Sequence, residues 1–285
     1  MTADPAPVPS DLDRALSVEG VCLGLEPVGE GAVELRIACD PIAQKVAPGE
    51  FCQLRVGPGP TPLLRRPFSV CRADPEAGTL SFYLGIVGEG TARLAALRRG
   101  DRLGVLGPLG RGFTVPPAPS VLLMVAGGLG AAPFPLLAAA CQRRGVELIW
   151  LNGAATAPRL FPVERLQVPV AAHLVTEDGS QGERGRVTDR LGPLLAGVDR
   201  VAACGPNPML AAVAAAVAAL APTLPLEVSL EAPMGCGFGV CLGCAIPVRT
   251  PSGPALQLCC RVGPVLAAET VDWPRLLALP PAHAA

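Results

Sequence analysis

The sequence predicts a multi-domain β plus α/β protein: an antiparallel β-barrel, a parallel α/β domain and a small C-terminal module. Three observations carry this reading. Short β-type segments separated by Gly and Pro fill the first part of the chain, apolar strands alternate with helices after the PPAP break at 116–119, and glycine and cysteine crowd together from about Ala232. The expected boundaries are a leader at 1–17, the barrel at 18–116, the α/β domain at 117–231 and the module at 232–285.

The leader, MTADPAPVPSDLDRALS, is rich in Pro, Ala and Asp, a composition that orders poorly. It has acids and prolines where a secretory signal needs a basic start and an apolar run. The chain is therefore expected to be cytoplasmic, and its eleven cysteines are not expected to form a disulfide framework.

In the barrel, AVELRIAC, EFCQLRV, RPFSVC and TLSFYLGIV carry β-branched or aromatic residues with turn signals between them. One helix, TARLAALRRG (91–100), interrupts them and ends at a glycine. In the α/β domain SVLLMVA leads to a helix through PFPLLAAACQRRG and then to VELIWLN. VAAHLVT, RVAAC, an alanine-rich helix at 207–221 and LEVSLE follow. Strand and helix in alternation predict a parallel sheet covered by helices.

Mean hydropathy is +0.44, and 121–141 carry no charge. Gly127, Gly128, Gly130, Pro133 and Pro135 interrupt that stretch, so it reads as strand, turn and helix. A membrane span needs about 20 continuous apolar residues. A net charge of −1 with no basic block argues against nucleic acid as a partner. His173 and His283 are the only histidines, which argues against chemistry built on a histidine base; no catalytic acid or base is assigned.

The densest chemistry lies in MGCGFGVCLGC (234–244). Cys236, Cys241 and Cys244 are spaced C-x4-C-x2-C, with Cys259 and Cys260 following. That spacing is the one plant-type [2Fe–2S] ferredoxins use, with a distant fourth cysteine. Gly235, Gly237, Gly239 and Gly243 remove β-carbons from a loop that must wrap closely round a cluster. Structural zinc is the alternative, but it favours paired C-x2-C or C-x4-C knuckles. From spacing alone Cys259 and Cys260 are equivalent as the fourth ligand. Cys22, Cys39, Cys52, Cys71, Cys141 and Cys204 sit mostly in apolar stretches and read as small core residues.

Four further stretches point to nucleotide cofactors. In RRPFSV (65–70), Arg66 can pair with a pyrophosphate, Phe68 can lie against a flat ring and Ser69 can bond a ring edge. In GEGT (88–91), Gly88 and Gly90 let backbone approach a phosphate while Thr91 caps the helix that starts there. Each reads equally well as a strand or a capped helix; together, ahead of a nucleotide-type domain, they favour a flavin. VAGGLGAAPFP (125–135) is a glycine turn between strand and helix, able to set a dinucleotide pyrophosphate on the helix N-terminus. ACGPNPML (203–210) leaves a later strand at the end where open parallel sheets bind ligands. No acidic residue follows ELIWLN to hold a ribose hydroxyl, and Arg159 alone does not define a phosphate pocket, so NAD and NADP are not distinguished by residues.

In order along the chain, R-x-[YF]-S, GxGT, GPLGRGF (107–113), GGLGAAP and CGPNPM resemble the ferredoxin-NADP reductase superfamily. SLEAPMGCGFGVCLGC followed by CRVGPV is similar to the electron-transfer subunits of B-type dihydroorotate dehydrogenases, a likeness that covers the chain from about residue 18. The resemblance implies an FAD in the barrel, an NAD(H) site on the α/β domain and a [2Fe–2S] cluster in the module. It also implies an FMN-containing dihydroorotate dehydrogenase catalytic subunit as partner, in a heterotetramer of two chains each, serving pyrimidine synthesis. It places flavin contacts at Arg66, Pro67, Phe68, Ser69, Tyr83, Leu84, Gly85, Gly90 and Thr91. It assigns nucleotide contacts to Gly127, Gly128 and Gly130, sets Cys204, Gly205 and Pro206 near flavin and nicotinamide, and selects Cys260 over Cys259 to join Cys236, Cys241 and Cys244. Two positions depart from the pattern: Gly85 stands where the family carries an Arg, and Ala232-Pro233 where it carries a charge. The small subunits of ferredoxin-linked NADP transhydrogenases, sulfide dehydrogenases and some hydrogenases are a neighbouring reading. A flavin- and metal-binding sensor that passes no electrons is a reading of another class.

Overall fold

The computed structural model describes residues 14–55, 57 and 62–280; the expected leader up to residue 13 and His283 lie outside them. The antiparallel part comprises β1 (Leu16–Pro27), β2 (Ala32–Ala38), α1 (Asp40–Ala43), β3 (Phe51–Leu54), β4 (Arg66–Ser69), β5 (Arg72–Asp74), β6 (Thr79–Gly85), α2 (Glu89–Ala95) and β7 (Arg102–Leu109). β1 begins inside the stretch expected as leader, because Leu16 and Val18 already pack on the core and Arg14 reaches Glu50 at 2.8 Å.

These strands form one seven-stranded curled sheet, order β4-β3-β7-β1-β2-β6-β5, in which β4 and β5 are the edges of a half-barrel. Alternation in β2 sends Leu35 and Ile37 inward and leaves Arg36 exposed. β6 breaks that alternation and is buried on both faces from Leu80 to Gly85. Leu80, Phe82 and Leu84 fill the half-barrel, while Tyr83 turns the other way into a core shared with the α/β domain.

The second sheet is built from β8 (Val121–Gly127), α3 (Phe134–Arg143), β9 (Glu147–Ala154), β10 (Ala171–Thr176), β11 (Glu183–Arg184), α4 (Val187–Leu194), β12 (Arg200–Cys204), α5 (Asn207–Leu220) and β13 (Leu226–Ser229). Its order is β11-β10-β9-β8-β12-β13, all parallel, with a seventh strand, described below, beyond β13. The uncharged run of β8 is central, and Leu122 to Ala126 have no exposed surface. From β8 the chain first winds outward through β9 and β10, then crosses back to β12 on the other side. The C-terminal end of β8 is thus the point where strand order reverses, the place where open α/β sheets hold ligands.

The last part holds β14 (Ala245–Thr250), β15 (Gly253–Leu258), α6 (Cys259–Val262), β16 (Val265–Ala267) and α7 (Trp273–Leu277). β14 and β15 pair as a hairpin, whereas β16 leaves the module and pairs antiparallel with β13 at the edge of the parallel sheet. No helix among the described residues is long and apolar enough to cross a membrane.

A cluster of ions joins the half-barrel to the α/β domain. Glu34 on β2 takes Arg72 Nε at 3.1 Å, the Ser81 hydroxyl at 2.7 Å and Arg165 Nη1 at 2.8 Å, the last from the turn Val163–Leu166 of the α/β domain. Arg72 also donates to the Arg165 carbonyl.

Candidate cofactor and electron-transfer site

The cysteine loop runs from Gly235 to Cys244 between β13 and β14 and is open to solvent at Val240 (71 %) and Leu242 (65 %). Gly237 (φ 82°) and Gly239 (φ 90°) take left-handed backbone that L side chains rarely adopt, which is how the loop turns back on itself within so few residues. Gly237 is also pressed against the half-barrel: a Cβ there would lie 2.8 Å from Gln53 Cγ.

The four expected ligands fall into two pairs. The Cys241 thiol is a neighbour that helps lower the Cys236 thiol, and the Cys244 and Cys260 sulfurs are 3.2 Å apart. The thiols of Cys236 and Cys244 are unusually acidic. Burial raises the Cys236 thiol, but the backbone N–H groups of Cys241, Phe238 and Val240 outweigh it and bring it down to about 7. The hydrogen bond shared with Cys260 brings the Cys244 thiol down to about 6, and Cys260 itself is raised correspondingly. Amide groups turned toward sulfur are what a loop that stabilises thiolate ligands requires.

Two thiol pairs, one soft donor set and glycines in place of β-carbons suit a two-iron cluster, in which each iron takes two cysteines. Cys259 is set apart from the pairs: it is fully buried in the apolar core, and burial pushes its thiol up to about 12. Cys22, Cys39, Cys52, Cys71 and Cys141 are buried in the cores as read from sequence, and so is Cys204, whose thiol burial raises to about 12.

The two flavin-type motifs meet. Arg66 arches over the first turn of α2, and a Cβ at Gly90 would lie 3.1 Å from its Nε. Thr91 is the third residue of α2 and not its cap residue; its hydroxyl reaches back to accept the N–H groups of Val87 (2.9 Å) and Gly88 (3.1 Å). Pro67 and Ser69 are half-buried on β4, and Phe68 packs toward the half-barrel core.

A cavity of about 1350 Å³ opens beside these motifs, larger than the ~300–1,000 Å³ of ordinary small-ligand pockets and so sized for a dinucleotide. Tyr83, Gly85, Gly127, Gly128, Gly130 and Pro206 line it, and so do Gly243 and Ala245 at the end of the cysteine loop. The glycine turn, the β6 edge and the cysteine loop therefore face one space. Arg66, Pro67, Phe68, Ser69, Leu84, Gly90, Thr91, Cys204 and Gly205 do not line it. Leu84 is fully buried inside the half-barrel, and the Tyr83 ring meets Phe161 edge-on at 5.2 Å, so neither presents a free side chain.

At the departure at Gly85, the Leu129 side chain leans from the glycine turn onto β6 and fills the space a β-carbon would take, so a larger residue at 85 would require Leu129, which is 41 % exposed, to turn away. Ala232 and Pro233, the other departure, form part of the cavity wall. Four charged residues of the wall, Glu30, Glu177, Arg186 and Glu231, escaped sequence reasoning, and Glu177 and Arg186 flank the β10–β11 end of the sheet. Glu177 follows β10, not β9 where an acid was sought, and Arg186 precedes α4. Their signal is their place at strand ends, which becomes readable only once the strand order is known.

Comparison with known proteins agrees with this geometry. Residues 231–272 match the family model of the iron–sulfur cluster binding domain of dihydroorotate dehydrogenase B. The chain is 38% identical over 246 residues to the dihydroorotate dehydrogenase B (NAD(+)) electron transfer subunit of Bacillus caldolyticus, covering 86% of this chain and 94% of that one. It is 35% identical over 228 residues to the subunit of the same name from Listeria monocytogenes serovar 1/2a, covering 79% and 87%. A solved structure of an NADH-dependent reduced ferredoxin-NADP oxidoreductase, studied for flavin-based electron bifurcation, superposes with a TM-score of 0.80 at 27% identity over 91% of each chain. Sharing its cysteine module, its half-barrel and nearly its whole length with such relatives, the chain belongs to the family of dihydroorotate dehydrogenase B (NAD(+)) electron transfer subunits.

Proposed function

We propose that this chain carries electrons between an FMN-containing dihydroorotate dehydrogenase catalytic subunit and NAD+, in a cytoplasmic heterotetramer with two copies of each chain. The observation that carries this reading is the shared cavity, which brings the glycine turn, the flavin-motif strand β6 and the cysteine loop to one space. The relatives' name, electron transfer subunit, implies a catalytic partner. In this reading Cys236, Cys241, Cys244 and Cys260 hold a [2Fe–2S] cluster. Arg66, Pro67, Phe68 and Ser69, the β6 segment Tyr83 to Gly85, and Gly90 with Thr91 hold FAD. Gly127, Gly128 and Gly130, with Cys204, Gly205 and Pro206, receive NAD(H). Bound there, the flavin supplies interchange between two-electron and one-electron chemistry, and the cluster supplies single-electron storage.

The protein's own residues do the positioning. Arg66 offers a fork-shaped cation to pyrophosphate oxygens. Gly130 lets the turn after β8 pack against the end of β12, since a Cβ there would strike the Cys204 carbonyl. Val240 and Leu242 of the cysteine loop are exposed, and so is Leu64 beside it, whose Cδ1 lies 4.0 Å from where a Cβ of Gly235 would sit, with the exposed Leu63 next to it in sequence; together they offer an apolar rim. Such a rim fits a face that is covered by the catalytic subunit.

The test is reconstitution with a catalytic partner: the pair should reduce NAD+ with dihydroorotate, and a loaded pair that assembles yet cannot do so would end the assignment to pyrimidine synthesis. Glu177 supplies a narrower check. As the acid at the end of β10 facing the cavity, it suits a ribose hydroxyl. Glu177→Ala should raise the KM for NADH about tenfold, the worth of roughly one charged hydrogen bond, with kcat little changed. An unaltered KM would move the ribose elsewhere.

A further inference from the structure

Gln53 is the polar residue that the fold explains least. It sits on β3 between Pro67 of β4 and Leu106 of β7, has no exposed surface, and neither its amide nitrogen nor its amide oxygen has a hydrogen-bond partner among the described residues. A buried, unpaired amide is costly, and an apolar side chain of similar shape would serve the packing better. What the amide faces accounts for it. Its Cγ and Nε2 lie 2.8 and 2.9 Å from where a Cβ of Gly237 would be, with Leu109 Cδ1 at 3.1 Å from the same point. Gly237 follows Cys236 directly, and it has no β-carbon to separate the amide from the loop. The amide thus lies in the seam between the strand that pairs with the Arg66–Ser69 motif and the loop that carries the cysteines.

We propose that Gln53 is a positioning residue for the cluster, its amide N–H completing its hydrogen bond on a sulfur at the Cys236 end of the loop. This rests on the reading that the loop holds a [2Fe–2S] cluster. A donor on sulfur favours the reduced, more negative state, so the residue raises the cluster's affinity for an electron. It also clamps the loop to the half-barrel, fixing the separation between cluster and flavin strand.

The test uses the loaded full chain with Gln53→Leu, and Gln53→Met in case leucine fails to fold. Iron and sulfide content, redox titration followed by visible and EPR spectra, and thermal unfolding are read together. The expected result is undiminished iron, a cluster midpoint shifted to more negative potential, an altered EPR signal of the reduced cluster, and an unmoved flavin couple. In the wild type, glutamine labelled with 15N at the side-chain amide should show a 15N coupling to the reduced cluster. An unshifted cluster potential with no 15N coupling would overturn the proposal, as would a shift confined to the flavin couple. Wild-type protein that binds no iron would instead refute the underlying cluster assignment, which separates the two failures.

Discussion

Replacing Cys260 by serine should abolish stable cluster binding, whereas replacing Cys259 by alanine should leave it intact. The two cysteines are adjacent in sequence, but α6 sends them to different surroundings. Cys260 Sγ lies 3.2 Å from Cys244 Sγ, inside the thiol group, and its backbone N–H approaches the same sulfur at 3.5 Å. Cys259 is packed in the apolar core, and its backbone N–H bonds the Cys244 carbonyl at 2.9 Å, a contact alanine keeps. Serine at 260 exchanges a soft thiolate for a hard, weakly acidic hydroxyl, which iron–sulfur chemistry accepts poorly. Iron and acid-labile sulfide per chain, with the visible absorbance of the cluster, measure the outcome. Cys260→Ser should lose nearly all iron, and Cys259→Ala should keep it at the expense of about 1–2 kcal/mol of stability from a lost core sulfur. Reversal of the pair, with iron lost from the Cys259 variant alone, would move the fourth ligand by one residue.

The second large effect is structural. Glu34→Ala should destabilise the chain by about 2–3 kcal/mol, because it removes the buried carboxylate that Arg72 and Arg165 share and leaves Arg165 only the exposed Glu26. The Glu34 side chain is 11 % exposed, and it serves Arg72, Arg165 and Ser81 at once, so no single residue can replace it. With a whole-domain stability of about 5–15 kcal/mol, the loss is a large share. Glu26→Ala is the control: Glu26 pairs with the same Arg165 at 3.1 Å but is 73 % exposed, and its removal should cost no more than about 1 kcal/mol. Denaturant unfolding of both variants decides the matter, and equal effects would show that the carboxylate at 34 is no brace between the halves.

What the sequence made readable was local. C-x4-C-x2-C needs no tertiary knowledge, because its three sulfurs lie within one loop. β8 is legible since a central parallel strand is apolar on both faces. The unread features all depend on residues far apart in the chain. β16 spans only Val265–Ala267, too short for any periodicity, and its membership in the parallel sheet is set by β13. β1 carries Glu19 and Gly24 and a register shift near Gly24, which blur its alternation. The glycine at 85 reads as a missing arginine, and only the fold shows that the Leu129 side chain fills the space beside it. Gln53 reads as an ordinary polar strand residue, and only its contact with Gly237 gives it a role. The choice between Cys259 and Cys260 likewise came from a family pattern, since adjacent residues share every local signal.

The pairing of β16 with β13 limits how this molecule can move. A hinge between the cysteine-bearing part and the nucleotide sheet would have to tear backbone bonds from Glu227, Val228 and Ser229, so swinging the cluster like a shuttle between two stations is closed to it. The spacing between the cysteine-bearing part and the nucleotide sheet is therefore set once, at folding, and adjustment to a docking partner falls to the exposed tips at Leu63, Leu64, Val240 and Leu242.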